Sequence, residues 1–522
     1  MYNLINNYMM KLRFLLTGMA ILTLALMLNS CDKHKSSSTG WTYNDSRYGG
    51  FEYVVYEEQE TGPGLVFIEG GTYTMGKCEQ DVLYDWNNFP KRVTVSSFYM
   101  DETEVSNVNY REYLYWLKRV FVSYPEVYHE ALPDTLVWRS KLAWNEPYVE
   151  LYFRHPAYQD YPVVGVNWLQ ANNFCAWRTD RVNEHIMVRE GLYFLDPTGQ
   201  ADDENFNTES YLAGQYSLQE RDRIPDLDPM TGGGTRLVRM EDGIFLPKYR
   251  LPTEAEWEFA ALGLIGNMYA EERIFHERVY PWNGHYIRVD DRSGYGKDDM
   301  GQIRANVVRG RGDLMGTAGA LNDKNDIPGP VTSYWPNDYG LYCMAGNVNE
   351  WVMDIYRPLT YEDNDEFRPF RGNVFLTQNL DDEGNIAEKD SLGRITYRNV
   401  TDEEAFDRRN YNTSDNINFL DGDVESSTNF TAGGDNTNSD RMYNQGKVLL
   451  NDQDKPIMRG GDKMTSMINN RARVYKGGGW KDRAYWMSPG TRRFLDEKQS
   501  RDDLGFRCAM HRVGSTVSSG LN

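Results

Sequence analysis

From about Arg357 to Asn470 the sequence is dominated by Asn, Asp, Gly and Ser with few apolar runs, and a chain cannot build a core from such a stretch. The residues from Arg178 to Tyr249 have a similar character, with Gly232-Gly233-Gly234 in their midst. Both read as long insertions, at about 179–248 and 357–470, so the core must come from shorter apolar segments before, between and after them. Those segments suffice, because 40% of the chain is hydrophobic and 13% aromatic. A formal net charge of −21 argues against a nucleic-acid partner, whose phosphates require Lys and Arg. It suits a solvated surface or one that recruits divalent cations.

In the first apolar segment, Gly64 to Ile68 and Thr72 to Met75 are β-rich runs split by Gly70-Gly71, which predicts a hairpin. A further strand is expected over Arg92 to Met100. Tyr110, Tyr113, Leu114, Leu117 and Phe121 then recur at helical spacing. Asn167 is a candidate N-cap for a helix with Trp168, Ala171, Phe174 and Cys175 on one face. Thr253 and Glu256 have the spacing of a capping box at the start of another helix. Tyr339 to Trp351 is too broken by glycine for a long helix and reads as a packed loop. No repeat of solenoid or propeller period occurs.

At the other end, Lys11 and Arg13 precede an apolar run from Phe14 to Leu28 that closes on Leu28-Asn29-Ser30-Cys31. This is signal-peptide anatomy, with the cysteine where bacterial lipoproteins are cleaved and acylated. Residues 1–30 are therefore expected to leave and Cys31 to carry lipid. Residues 31–60 read as a tether and N-terminal extension, with His34 to Gly40 flexible. A body then spans 61–511, and 512–522 form a short polar tail. Of the other cysteines, Cys78, Cys175, Cys343 and Cys508, no two have metal-ligand spacing, and three disulfide pairings are open. Cys175, among apolar neighbours, reads as a buried thiol. The seven histidines are scattered from His34 to His511, with none at i, i+4 spacing.

Taken in order, Gly70-Gly71, Asp101 to Ser106, Arg250 to Ala261, Gly346 to Trp351, Gly477 to Trp480 and Leu504 to Ala509 resemble the formylglycine-generating-enzyme (sulfatase-modifying factor) family. The resemblance implies one α+β domain with a C-type-lectin-like fold, low in regular secondary structure and carrying the two insertions. That overrides the roughly three domains that length alone suggests. Within the family, Thr39-Gly40-Trp41, Tyr84-Asp85-Trp86, Pro133 to Arg139 and Trp177 to Glu184 are similar to the gliding-motility lipoproteins of Bacteroidota.

The enzymes of this family hold copper between two cysteine thiolates, soft ligands suited to Cu(I). Alignment on Lys476-Gly477-Gly478 puts Asp482 and Met487 at those positions. A hard carboxylate and a weak thioether are poor substitutes, so no copper is expected. Asp482 is expected in an ion pair with Arg483 or Arg492, and Met487 in the core. The family's structural calcium sites, built from oxygens, carry over to Asn306, the Val307 carbonyl, Asp323 and the Asn325 carbonyl. A second set falls on the Gly346 and Val348 carbonyls and Glu350, although its asparagine is Cys343 here, and a thiol is a poor calcium ligand.

The resemblance thus implies a non-catalytic lipoprotein at the periplasmic face of the outer membrane. It would be a structural and interaction component of the gliding-motility and type IX secretion machinery, with other lipoproteins and envelope proteins of that machinery as partners. Two alternatives stand beside it. One is an active cofactor-dependent enzyme of the superfamily, and the other a carbohydrate- or peptide-binding envelope protein.

Overall fold

The computed structural model describes residues 34–77, 88–216, 224–231, 234–263, 278–282, 284–289, 300–308, 325, 327–357, 366–367, 369–372, 374, 376–400 and 471–514, with the backbone alone at 449–450 and 456–457. Cys31, Cys78 and Asp323 lie outside them. The chain divides into two compact units. Met1–Glu57 with Asp222–Gly243 make the first, and Glu58–Arg221 with Ile244–Asn522 make the second. Among the described residues no helix is long and apolar enough to cross a membrane.

The first unit corrects the expectation of a flexible tether at His34 to Gly40. Lys35 and Thr42 form a β-bridge, Ser36 N donates to Trp41 O at 2.8 Å, and Tyr43 N donates to His34 O at 2.9 Å. Ser36 stabilises this turn because its Oγ accepts from Thr39 N, a local bond that small polar residues make readily. Farther on, Asn44 exchanges two hydrogen bonds with the backbone of Tyr53, at 2.8 and 2.7 Å. Arg236 lies between Glu52 and Asp242, tying this segment to the short hairpin of Ile224–Asp226 and Gly234–Arg236. Gly50 is required here, since a Cβ on it would lie 1.9 Å from Leu227 O.

In the second unit, β1 (Leu65–Ile68) and β2 (Gly71–Met75) are strands as expected, but they do not pair with each other. β1 pairs with β4 (Phe98–Asp101) and β2 with β3 (Lys91–Val95), both antiparallel and in one continuous register from Leu65↔Asp101 to Met75↔Lys91. Gly70 is therefore a bend in a long ribbon rather than a hairpin turn. A Cβ there would sit 2.3 Å from Val95 O, and Gly70 N is taken by Ser97 Oγ.

Helix α1 (Asn107–Val120) starts at the Ser106 cap and buries Tyr110, Tyr113, Leu114 and Leu117, as their spacing predicts. The shorter α2 (Pro125–Ala131) and α3 (Glu146–Leu151) follow. α4 (Trp168–Arg189) opens with a full Asn167–Gln170 capping box and continues well past Arg178. This places the start of the first insertion later than the sequence rhythm suggests. The rhythm fails because the buried face becomes polar: Asn183 exchanges hydrogen bonds with the backbone of Leu246, and Thr179 Oγ1 accepts from Tyr249 N at 2.9 Å. Those bonds satisfy backbone groups that would otherwise be buried unpaired.

The chain goes on through α5 (Thr208–Leu212), β5 (Tyr249–Arg250) and α6 (Glu254–Leu262), the last with the expected Thr253–Glu256 capping box. The loop at Tyr339 leads into β6 (Asn349–Ile355), and the C-terminal part adds β7 (Ala472–Lys476), β8 (Arg493–Asp496), β9 (Leu504–Gly505) and β10 (Ala509–His511). Two four-stranded sheets result, in the orders β1-β4-β10-β5 and β8-β7-β6-β9.

Tyr110, Phe174, Trp351 and Phe506 centre one core cluster, and Phe98, Trp257, Phe259 and Val474 a second. Cys175 is buried as expected, with its sulfur 3.3 Å from that of Cys508. Within the second insertion, residues 376–400 are held against the first. Gln215 donates to the carbonyls of Ile386 and Ala387, and Asn205 to that of Leu392.

Candidate functional site

β7 ends at Lys476, and the chain turns through Gly477 and Gly478, whose φ angles of 98° and 71° lie where L side chains are rare. The turn leads into Gly479 to Met487, which carries both positions aligned with the copper ligands. Met487 ends a 3-10 turn and is fully buried against Ile303, Ala305, Val307 and Ala345. It packs in the core, as expected.

Asp482 is ion-paired, but to Arg493 rather than to Arg483 or Arg492. Arg493 Nη1 and Nη2 reach the two carboxylate oxygens at 2.8 and 2.6 Å. Gly479 N adds a bond at 2.9 Å and Asn349 Nδ2 one at 3.1 Å. The choice of arginine follows from strand alternation. Arg492, just before β8, points to the other side and pairs with Glu254 at 2.6 Å, leaving Arg493 to face Asp482. Burial alone would raise the Asp482 carboxyl, but Arg493, Gly479 and Asn349 outweigh it and hold the group below the usual carboxylate range.

The lattice extends beyond this pair. Arg493 lies over the rings of Trp486 and Tyr475, at 4.4 and 4.9 Å. Asn349 Nδ2 also donates to Asp503 O, and Arg501 holds both carboxylate oxygens of Asp503 at 2.8 and 2.7 Å. Lys481 pairs with Asp502, and Trp480 stacks on Trp138 at 6.1 Å. Each carboxylate is thus matched by a cation. The donor set is hard and neutralised, unlike the thiolate pair that Cu(I) favours.

Asn349, Arg493, Arg501 and Asp503 are the residues that the sequence reading left out. Their signal was position, since Asn349 lies inside the Gly346 to Trp351 motif and Asp503 directly precedes Leu504 to Ala509.

The second expected calcium set does not fit a hard cation. Glu350 is fully buried with Arg507 Nε and Nη2 on its two oxygens at 2.6 Å each, and Trp257 Nε1 adds a bond at 2.8 Å. The carboxylate that would face calcium is the counter-ion of a guanidinium. Cys343 Sγ lies 3.5 Å from Val331 O, within reach of a weak hydrogen bond. Beside them Glu104 accepts from Asn347 Nδ2 at 2.6 Å, and burial together with Glu350 pushes its carboxyl well above the usual range.

Of the first set, Asn306 is buried and its Nδ2 donates to Ile327 O at 2.8 Å, which leaves Oδ1 as the oxygen a cation would use. Val307 is also buried. Asp323, the carboxylate of that set, lies outside the described residues.

Over residues 51–403 the chain matches the model of the sulfatase-modifying factor enzyme 1-like domain. The chain belongs to that family. The Gly477 to Trp480 and Leu504 to Ala509 motifs lie beyond the matched stretch. Within the sulfatase-modifying factor family, the chain is 24% identical to the mouse formylglycine-generating enzyme over 336 residues, 57% of this chain and 63% of that one. It is 23% identical to the mouse inactive C-alpha-formylglycine-generating enzyme 2 over 313 residues, 57% of this chain and 70% of the relative. Among solved structures, PvdO from Pseudomonas aeruginosa aligns at a TM-score of 0.36 and 13% identity, over 87% of this chain and 99% of that one. The chain thus spans less than two thirds of the mouse enzyme's length, and the family includes a member whose name marks it as inactive.

Proposed function

We propose that this sulfatase-modifying factor domain is non-catalytic and acts as a structural and interaction component of the gliding-motility and type IX secretion machinery. It would be of the GldJ type rather than its paralogue GldK, also called PorK. In this reading the chain is held by lipid on Cys31 at the periplasmic face of the outer membrane, with other lipoproteins of that machinery as partners. The observation that carries the non-catalytic part is the pairing of Asp482 with Arg493 while Met487 is buried in the core. A soft metal would have to displace a guanidinium on one side and open the core on the other. The inactive mouse relative gives the reading a precedent within the family.

A structural calcium at Asn306, Val307, Asp323 and Asn325 belongs to the same reading, supported by the buried amide of Asn306, whose Nδ2 is turned to Ile327 O. The test is affinity purification of the full chain from membranes, with mass spectrometry of what accompanies it and a Cu(I) titration of the purified protein. Gliding or type IX lipoproteins should co-purify, and Cu(I) should bind no more tightly than to an Asp482→Ala variant. Tight Cu(I) binding with conversion of cysteine peptides to formylglycine would sink the proposal.

A further inference from the structure

The first unit has a surface that the proposed function does not explain. Trp41, Tyr48, Phe51, Tyr53, Val54, Val55 and Tyr56 are all exposed, with Trp41 at 56%, Phe51 at 64% and Tyr56 at 58%. So many large apolar side chains in one short exposed stretch are unusual on a surface that meets only water. The backbone bonds of Ser36 to Trp41 and of Asn44 to Tyr53 hold the stretch in shape. The rings support one another, with Tyr43 5.2 Å from both Phe51 and Tyr53, and Trp41 edge-on to Tyr48 at 5.9 Å.

Of the nearby charges, Asp45 pairs with Arg47 and both Glu52 and Asp242 with Arg236, while Lys35 and Glu57, of opposite sign, are exposed. The surface therefore offers chiefly apolar area and aromatic rings.

Its place in the chain identifies what covers it. His34 is the third residue after Cys31, so even a fully extended link holds it within about 10 Å of the lipidated residue. Trp41 is folded back onto Ser36, which keeps it near that point. A bilayer presents at that depth the interfacial layer that Trp and Tyr prefer.

We propose that the exposed aromatic face of residues 41–56 seats on the surface of the bilayer that holds the Cys31 lipid. The anchor is then a fixed mount rather than a loose leash. The inference rests on the lipid-anchor reading of Cys31, and contact is apolar, so it should not depend on salt.

The test uses the full chain as isolated from membranes, reconstituted into vesicles of phosphatidylethanolamine and phosphatidylglycerol with brominated acyl chains. Trp41→Phe isolates the emission of Trp41 by difference and is conservative enough to leave the fold intact. The Trp41 signal should be quenched at least about twofold by the bromines, and equally so at about 0.5 M NaCl, where surface charge attraction is screened. The intact mass reports separately whether Cys31 carries acyl chains.

If the acyl mass is present but Trp41 is unquenched, the anchor stands and the seating is overturned. Iodide in the water then tells whether a protein shields Trp41 or nothing does. If the acyl mass is absent, the anchor reading fails and the seating fails with it.

Discussion

Arg492 and Arg493 adjoin in sequence and serve two ion-pair networks that differ in almost every physical respect. Arg492 meets Glu254 on α6 with both groups at most 2% exposed, and Lys476 joins from β7 to bridge Glu254 and Glu258. Arg493 meets Asp482 where both side chains keep some contact with water, at 16% and 11% exposure. A fully desolvated network tolerates no missing member, because any charge left over is stranded without water. A partly hydrated one can rearrange at small cost. The difference teaches that the rigid element is the seam between α6 and the second sheet, whereas the place where family chemistry would occur is the adjustable one.

The most forceful way to break this comparison is Arg492→Met. It would leave Glu254 with Lys476 alone and should cost about 3–5 kcal/mol, the usual penalty for halving a buried pair. In calorimetry the melting temperature should fall by roughly 1 °C per kcal/mol for a chain of this length. A loss as small as that of a surface substitution would mean the seam is not the anchor described.

Asp354 sharpens the same side through pH. Its carboxylate accepts from the backbone N–H groups of Glu254 and Arg371, at 2.7 and 3.1 Å. Burial and the nearby Glu254 charge push it up to about 7. A carboxyl that holds its proton more tightly folded than unfolded contributes stability below about pH 4, and that contribution is lost as pH rises through about 7. Melting temperature should therefore decline between about pH 5 and pH 8, with the slope reduced in Asp354→Asn, which cannot ionise. Identical slopes in the two proteins would remove Asp354 from the account.

The smallest effect is expected across the strand edge, where Asp482→Ala should cost about 1.5–3 kcal/mol, the range for hydrogen bonds to a charged group, and fall at its lower end because water is at hand. Urea unfolding measures it. A loss equal to that of Arg492→Met would erase the distinction between the two networks.

Where one side chain has one job, the sequence was legible. Asn167 and Thr253 cap helices as their spacing predicts, and the residues of α1 face the core at the helical period. It was opaque where polar side chains serve distant backbone. Thr179 and Asn183 look like the start of a solvated insertion, yet they are buried because they hydrogen-bond the chain around Leu246 and Tyr249. Pairing was equally hidden, since nothing local distinguishes a Gly-Gly turn from a bend in a ribbon whose partner strand lies some twenty residues on.

At the site, the absence of cysteine from Gly479 to Met487 could be read directly, but the choice of Arg493 over Arg492 depends on which way each faces from a strand edge. The surroundings of Glu350 were hidden for a related reason, because its partner Arg507 is far away in sequence.

The contact between the two insertions has one further consequence. Gln215 and Asn205 grip the second insertion by the carbonyls of Ile386, Ala387 and Leu392, atoms that every amino acid possesses. Substitutions at its exposed positions can change what it displays without loosening how it is held, whereas Leu392 and Gly393 are fixed by packing. The arrangement separates address from message, so the outward face of this loop is free to diverge while the fold continues to present it in the same place.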